Sequence, residues 1–155
     1  MKTNAARLLD KAGVKYGLNT YVVDESDLSA VHVAQQLGVR AGLLFKTLVL
    51  HGDRSGYFVC VVPGDAEVDL KKVAKVSGNK KVELIPVKNL LPLTGYIRGG
   101  CSPIGMKKRF PTYVDSHALD ENEIFISAGV RGLQIRIAPL DLVGFLDATV
   151  ADIIL

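Results

Sequence analysis

The sequence has no apolar run long enough to span a lipid bilayer, and no signal-peptide pattern at its N-terminus. Cysteine is scarce: the 155 residues include two, Cys60 and Cys101, which do not form a CxxC pair. We therefore expect a cytoplasmic protein with no membrane partner, in which both thiols stay reduced.

Histidine is also scarce. The three histidines show no HxxH or HxxxH spacing and have no cysteine neighbour, so the pattern argues against a zinc site, and we expect no metal or other cofactor. The chain lacks a GxSxG elbow and a Walker lysine as well. These two absences argue against elbow-type serine hydrolases and P-loop nucleotide hydrolases.

The patterning of the chain predicts one α+β domain over residues 1–155, because there is no internal repeat, low-complexity segment or linker. Helices are predicted at residues 4–11, 29–37, 69–77, 86–91 and 140–146. Strands are predicted at residues 16–23, 43–50, 57–62, 81–85, 96–97, 111–115, 123–127, 133–138 and 149–154. Consecutive strand pairs without regular βαβ alternation favour a mixed, mostly antiparallel sheet.

Residues 94–115 form the least regular stretch, with four glycines, two prolines, one cysteine and a basic triplet. Glycines let a ligand approach the main chain closely, and such a loop can direct several backbone N–H groups at one anion or developing oxyanion. We interpret the stretch as a binding loop. A glycine-rich hairpin connection with a solvated basic edge is an equally open interpretation.

Basic residues are concentrated in two segments, on the helix after Asp69 and directly after the glycine loop. Both could lie on one positive surface that binds a nucleic-acid backbone, although a solvated helix face explains the first segment equally well. The predicted RNA-binding residues are Lys71, Lys72, Lys107, Lys108 and Arg109.

Lys46 interrupts an apolar strand. It is either a lysine at an outward-facing edge position or a cation at the floor of a pocket. Cys101 could be a nucleophile in a basic environment, but no neighbouring residue supplies a general base, which favours a packing role in the loop.

Four segments in register resemble the YbaK/EbsC family of bacterial Cys-tRNA(Pro) deacylases, which is similar to the editing domain inserted in bacterial prolyl-tRNA synthetases. The resemblance extends over nearly the whole chain. The segments are FKTL from Phe45, DLKKVAK from Asp69, the glycine loop from Gly95 to Lys108, and GVRGL from Gly129.

The resemblance implies a mixed sheet curved into a barrel-like body with surrounding helices. The implied substrate is a mischarged tRNA bound by its 3′ CCA end, typically cysteine on tRNA(Pro), and the implied reaction cleaves the ester to the terminal ribose. Lys46 would be the catalytic residue. The implied substrate-binding residues are Tyr21, Thr47, Gly99, Gly100, Cys101, Ser102, Pro103, Gly105 and Gln134.

Two positions depart from the family pattern. Ser29 stands where some relatives have an aromatic residue, and Gln134 stands where some have an aspartate. An amide cannot act as a carboxylate base, so Gln134 can only position or hydrogen-bond, and the preference for the amino acid can differ.

No clear pair of side-chain base and nucleophile is present. For the family, the reactive group is the thiol of the substrate cysteine, which attacks its own carbonyl, while an activated water or a ribose hydroxyl remains an alternative. Two other functions stay open: a non-catalytic module that binds RNA or a synthetase, and an enzyme acting on a small ester or thioester. Prolyl-tRNA synthetase is a candidate partner, and either protein could read tRNA identity.

Overall fold

The computed structural model describes residues 2–155. Its helices are α1 (Asn4–Ala12), α2 (Ala30–Leu37), α3 (Leu70–Ser77), α4 (Leu90–Thr94) and α5 (Pro139–Leu146). Its strands are β1 (Gly17–Thr20), β2 (Phe45–Gly52), β3 (Gly56–Pro63), β4 (Val82–Leu84), β5 (Thr112–Asp115), β6 (Ile124–Ser127), β7 (Leu133–Ile137) and β8 (Thr149–Ala151).

The ends of the first three helices follow from local chemistry. The side chains of Thr3, Ser29 and Asp69 accept hydrogen bonds from backbone N–H groups in the first turns of α1, α2 and α3. Each of these helices ends at a glycine in the left-handed conformation, as the sequence predicts. Within residues 2–155, no helix combines the length and the apolar character needed to cross a bilayer.

The strands form a three-stranded sheet in the order β1-β7-β6 and a five-stranded sheet in the order β4-β2-β3-β5-β8. Both predicted hairpins, β2–β3 and β6–β7, are antiparallel pairs. Only the β3–β5 and β5–β8 pairs are parallel. The mixed, mostly antiparallel arrangement is therefore confirmed. An isolated parallel bridge between Leu44 and Phe125 joins the two sheets.

Side-chain alternation along β3 separates two apolar clusters. Val59 and Val61 face a core shared with Ile126 and Ile135 of the smaller sheet. Phe58, Cys60 and Val62 face the opposite way and pack with Val73 and Ala74 of α3. The two sheets thus enclose one core, as a barrel-like body requires, and α3 covers the outer face of the larger sheet.

The strand predicted at residues 96–97 is wrong. Gly95 ends α4 with a φ of 84°, and the carbonyl of Ile97 accepts a hydrogen bond from the Gly100 amide, which turns the chain immediately. The Tyr96 hydroxyl donates to the Ile104 carbonyl at 2.5 Å. Tyr96 therefore anchors the glycine loop. The sequence did not indicate this role, because tyrosine is common in strands.

Other predicted boundaries differ as well, among them the start of α4 and the end of β1. Pro86 does not begin a helix: it precedes a 3₁₀ turn at Val87–Asn89, and α4 starts at Leu90 with Pro92 in its first turn, where a missing N–H costs little. The first strand is shorter than predicted, since it pairs with β7 only through Thr20, and the chain departs after the Tyr21 amide donates to the Gly132 carbonyl.

Asn79 holds the β2–β3 turn to the end of α3. Its side-chain oxygen accepts from the amides of Arg54 and Ser55 at 2.9 and 2.8 Å, and its amide group donates to the hydroxyls of Ser55 and Ser77. We expect Asn79→Ala to lower the free energy of unfolding by about 2–4 kcal/mol, because it leaves several polar groups unpaired. Urea unfolding measures this loss. Lys80→Ala, which shortens an exposed neighbouring side chain, is the control. An equal loss of unfolding free energy in both variants would contradict the prediction.

Candidate functional site

A cavity of about 440 Å³ opens along an unpaired stretch of β2. β4 pairs with only the last three residues of β2, Leu50 to Gly52, so the stretch before them has a strand neighbour on the β3 side alone. The other walls come from the start of α2, the β4–α4 connection, the glycine loop and the adjoining ends of β6 and β7. The volume suits a small ligand or the end of a larger one.

Five of the predicted site residues line this cavity: Lys46, Thr47, Gly99, Cys101 and Gln134. They come from three distant parts of the chain, so the fold brings together what the sequence only suggested. The other five predicted substrate-binding residues are absent from the cavity wall.

Those five residues support the loop or lie elsewhere. The buried Ser102 hydroxyl accepts from the Ile104 amide, and Tyr21 packs against the cluster beneath α2. Gly100 is buried against the backbone of Val130 and Arg131, 3.3 Å from where its Cβ would lie. A second, smaller cavity of about 190 Å³ includes Pro103 and Gly105, together with Lys108 and Arg109, in its wall.

Lys46 is half-buried in the wall of the larger cavity. Among residues 2–155, no carboxylate forms an ion pair with its ammonium group and no acceptor receives a hydrogen bond from it. Lys46 lies on an open strand edge that also forms part of the cavity wall. A positive charge is thus available to an incoming anion or carbonyl oxygen.

Two buried oxygens in the same wall have no hydrogen-bond partner. They are Thr47 Oγ1 and Gln134 Oε1, and within residues 2–155 they are the two unpaired buried side-chain N or O atoms. An unpaired buried polar atom costs about 1–3 kcal/mol, so native proteins contain few of them. Both residues belong to the wall of the larger cavity, while the two oxygens themselves are almost fully enclosed.

The glycine loop offers main-chain donors. Gly99 and Cys101 line the cavity, and within residues 2–155 neither amide N–H donates to a protein acceptor. The loop is held from behind by the β6–β7 turn, where Arg131 Nε donates to the Arg98 carbonyl at 2.9 Å. Both amides are therefore free to donate to a ligand.

Burial raises the pKa of the Cys101 thiol to about 12, although a hydrogen bond with Thr94 acts in the opposite direction. At pH 7 such a thiol is almost entirely protonated. Since the thiolate is the nucleophilic form, this cysteine is poorly suited to covalent catalysis. The packing interpretation of Cys101 is the better supported.

Sequence reasoning missed several residues of the wall. Arg98 adds a second cation, and Ser127 lies opposite Gln134 in the β6–β7 ladder. The predicted hairpin could have identified Ser127, because directly opposed residues share a face. The apolar side of the wall, including Leu84, Val87 and Leu90, had no local signal.

The two basic segments attach to opposite faces of the larger sheet. α3 packs on the outer cluster, whereas Met106 and Phe110 beside the basic triplet pack on the core between the sheets. Lys72 is already engaged, since its ammonium group donates to Asp152 and to the Ile154 carbonyl. Lys107, Lys108 and Arg109 are exposed, and no ion pair among residues 2–155 includes them.

Asp115, His117 and Asp152 form the one cluster of potential metal ligands found among residues 2–155. Internal hydrogen bonds occupy it: the buried Asp115 accepts from the Ile153 amide and bonds the His117 ring at 2.8 Å. The cluster thus ties the end of β5 to the C-terminal segment. The hydrogen bond to Asp115 raises the pKa of His117.

This raised pKa predicts a pH-dependent contribution to stability. Because the folded protein favours the protonated ring, the stabilisation is complete below the unfolded pKa of about 6.5 and is lost as the pH rises through the higher folded value. We expect His117→Gln to lose more stability at pH 6 than at pH 9 in thermal unfolding. His51→Gln is the control for the loss of an imidazole. An equal loss at both pH values would contradict the prediction.

Comparisons with known proteins identify relatives of this chain. EbsC of Enterococcus faecalis, provisionally named a Cys-tRNA(Pro)/Cys-tRNA(Cys) deacylase, is 49% identical over 152 residues, which cover 98% of this chain and 93% of that protein. A crystal structure described as a proposed trans-editing enzyme for prolyl-tRNA synthetase superposes with a TM-score of 0.83 at 26% identity, covering 100% of this chain and 99% of that one.

A shorter match relates the chain to a synthetase. The proline–tRNA ligase of Thermosipho melanesiensis is 30% identical over 92 residues, which are 54% of this chain and 16% of that enzyme. The sequence model of the aminoacyl-tRNA editing domain matches residues 24–145, which include β2, the glycine loop and the β6–β7 hairpin. The chain therefore belongs to the aminoacyl-tRNA editing domain family.

Proposed function

We propose that this protein is a trans-editing deacylase that cleaves the ester of mischarged tRNA, with Cys-tRNA(Pro) as its preferred substrate. One observation carries the proposal: a single cavity is lined by Lys46, whose ammonium group is unpaired, and by Gly99 and Cys101, whose backbone amides donate to no protein acceptor. An aminoacyl ester on a terminal ribose offers the carbonyl, amino and hydroxyl groups that such a site can bind.

The reacting group comes from the substrate. No Asp, Glu or His belongs to the cavity wall within residues 2–155, and the Cys101 thiol is protonated at neutral pH. The substrate's cysteine sulfur, after losing its proton to solvent, attacks its own carbonyl carbon and forms a C–S bond. The C–O bond to the ribose then breaks, and the ribose oxygen takes up a proton. The products are free tRNA and a cyclic thioester, without consumption of water.

The protein contributes orientation and charge stabilisation. Lys46 neutralises the negative charge that develops on the carbonyl oxygen or holds the neighbouring phosphate, and the amides of Gly99 and Cys101 donate to the same developing oxyanion. Such preorganised donors act most strongly where water is excluded. Selectivity follows from the chemistry, because an amino acid without a thiol lacks the attacking group.

The exposed triplet Lys107, Lys108 and Arg109 contacts the phosphates of the tRNA acceptor end. It follows the cavity-lining loop directly, and it leads to the second cavity, where Lys108 and Arg109 lie beside Phe110. Lys71 is a weaker candidate because α3 lies on the other face of the sheet, and Lys72 is weaker still because it is engaged with Asp152. A phosphate-binding triplet predicts salt-sensitive binding.

Prolyl-tRNA synthetase is the proposed partner. The support is the similarity to a segment of a proline–tRNA ligase and to a structure described as a trans-editing enzyme for this synthetase. A synthetase that presents the charged tRNA would supply tRNA identity, which the small cavity has no room to read. Added synthetase should then lower the KM for Cys-tRNA(Pro) and leave that for a charged minihelix unchanged.

A deacylation assay with four substrates tests the proposal: Cys-tRNA(Pro), Ser-tRNA(Pro), Ala-tRNA(Pro) and a cysteinyl minihelix. We expect release of tRNA from the two cysteinyl substrates and little from the seryl and alanyl ones, because oxygen is a poorer nucleophile than sulfur and the alanine side chain has no nucleophile. A reagent that alkylates free thiols reacts with released cysteine but not with the acylated sulfur of the cyclic thioester, so it distinguishes the two products.

The same panel separates the alternatives. Rapid cleavage of Ala-tRNA(Pro) would indicate that water or a ribose hydroxyl, and not the substrate thiol, attacks the ester. Salt-sensitive binding of every tRNA without turnover would instead indicate a non-catalytic RNA-binding module, and cleavage independent of the RNA body would indicate an esterase for small molecules.

A further inference from the structure

The second cavity has no part in the chemistry proposed for the larger one. It has a volume of about 190 Å³, and the second half of the glycine loop, the start of β5 and the end of α5 line it. Four side chains of its wall pack on the core between the sheets yet stay only partly buried: Met106, Phe110, Phe145 and Leu146. The Tyr57 ring packs edge-on against the Phe110 ring, with 6.5 Å between the two centroids. Accessible apolar and aromatic surface is therefore held in place in this wall.

Two cations share this wall with the aromatic rings. Lys108 and Arg109 are exposed, and neither takes part in an ion pair found among residues 2–155. In that part of the chain, no Asp or Glu belongs to the wall. The wall thus suits an occupant that combines a flat apolar group with a negative charge. A nucleotide has both, because its base has two π faces and its phosphate is an anion.

One loop contributes to both cavities. Gly99 and Cys101 belong to the wall of the larger cavity, and Pro103 and Gly105 belong to the wall of the second one. Since Cys101 and Pro103 are two positions apart, their Cα atoms lie within about 7 Å of each other. A substrate whose ester occupies the larger cavity can therefore place a preceding nucleotide against the second.

We infer that the second cavity binds the base of an unpaired nucleotide in the 3′ end of the tRNA, stacked against the rings of Phe110 and Phe145. The inference rests on the proposed deacylase function, since it assigns a subsite for the RNA part of that substrate. Lys108 and Arg109 contact the phosphates next to the stacked nucleotide. Stacking accepts every base, so the subsite recognises an unpaired RNA end and not a particular sequence.

Binding of uncharged RNA tests the inference without requiring turnover. The probe is a fluorescently labelled minihelix with the single-stranded 3′ end of the tRNA, either intact or with the base removed from one of the three nucleotides before the terminal adenosine. Removing a base keeps every phosphate, so the comparison separates stacking from charge. We expect one abasic probe to bind about 10-fold more weakly than the intact minihelix, a loss typical of one base stacked on an aromatic side chain. Fluorescence anisotropy gives the dissociation constants, and equal binding of all the probes would overturn the inference.

The matched variants are Phe110→Leu, Phe145→Leu and their combination, which remove the rings but keep most of the apolar volume. The intact and the affected abasic minihelix should bind the double variant about equally, because no ring is left for the base to stack on. Tyr113→Leu is the control, since Tyr113 is a partly buried aromatic residue that packs on the outer face of the larger sheet. This control should keep the wild-type preference. A preference that survives in the double variant, or is lost equally in Tyr113→Leu, would also overturn the inference.

Cross-linking of the wild-type protein gives an answer even where the double variant does not fold. A 5-iodopyrimidine nucleotide is placed at the sensitive position of the minihelix, the complex is irradiated, and mass spectrometry identifies the modified residue. We expect the adduct on Phe110 or Phe145. An adduct outside the wall of the second cavity would contradict the inference.

Free cytidine 5′-monophosphate distinguishes the end of an RNA from a small nucleotide ligand. It should compete with the minihelix only at concentrations far above the dissociation constant of the RNA. Equally tight binding of the mononucleotide would assign the cavity to a free nucleotide and overturn the inference. Failure of the proposed function looks different: the effect of the missing base would be present, yet the protein would release no tRNA from Cys-tRNA(Pro). An active deacylase that shows no effect of a missing base would instead refute the subsite alone.

Discussion

Replacing Lys46 by alanine is expected to lower kcat/KM for Cys-tRNA(Pro) by about 100- to 1000-fold, the loss typical when one donor to a developing oxyanion is removed. The side chain is half-buried in the cavity wall, and among residues 2–155 no carboxylate offsets its charge. Its positive charge is therefore available to the substrate. Single-turnover deacylation under saturating enzyme separates the chemical step from binding.

Three further variants make this result specific. Lys46→Arg keeps the charge but changes its geometry, so it should retain intermediate activity. Lys11→Ala removes an exposed lysine at the end of α1 and should leave the rate unchanged. Cys101→Ala should keep most of the activity, because burial holds this thiol protonated. Full activity of Lys46→Ala together with inactive Cys101→Ala would reverse the assignment.

Gly99→Ala is expected to reduce the deacylation rate by about 100-fold, the effect of a misplacement of about 1 Å at a reacting centre. Gly99 has a φ of 83°, and a Cβ there would lie 3.3 Å from Arg131 Nε and 3.4 Å from Leu28 Cδ2. Arg131 Nε holds the Arg98 carbonyl, so a displaced guanidinium group also releases the loop. The amides of Gly99 and Cys101, which we propose to donate to the substrate, would then lose their alignment.

Backbone strain alone should cost stability of about 1–2 kcal/mol in this variant. Gly78→Ala is the matched control, since Gly78 ends α3 with a φ of 74° and no other atom lies within 4 Å of the position that its Cβ would occupy. Both variants should unfold at similarly lowered urea concentrations, but only Gly99→Ala should be slow in deacylation. A parallel loss of activity in both would attribute the effect to global destabilisation.

The helix ends and the hairpins could be predicted because they depend on neighbouring residues. Asp69 caps α3 and Gly78 ends it through contacts within one turn. The β2–β3 turn is marked by two glycines only four positions apart, Gly52 and Gly56. The position of Tyr96 in a turn was not predicted. Its hydroxyl bonds a carbonyl eight residues away, at Ile104, and this contact overrides the preference of tyrosine for strands.

The identity of the candidate site could be predicted only in part. The motif around Lys46 and the glycine loop pointed to two segments that line the cavity, and the resemblance supplied the family. The sequence did not show which loop residues reach the cavity. The Ser102 hydroxyl accepts a hydrogen bond from the Ile104 amide, whereas Cys101, one residue earlier, lines the cavity. Arg98 and Ser127 had no individual signal, because their importance depends on what lies across from them.

Local chemistry along the chain is sufficient for the capped helices, the paired neighbours β2–β3 and β6–β7, and the lysine and glycine segments that mark the family. Long-range packing is responsible for the cavity. The cavity exists because β4 pairs with only the last part of β2, and the end of the β6–β7 hairpin lies in the wall beside the unpaired part. Such contacts between distant segments depend on how the two sheets enclose one core. Thr47 Oγ1 and Gln134 Oε1 become buried only through that packing, because they belong to strands of different sheets.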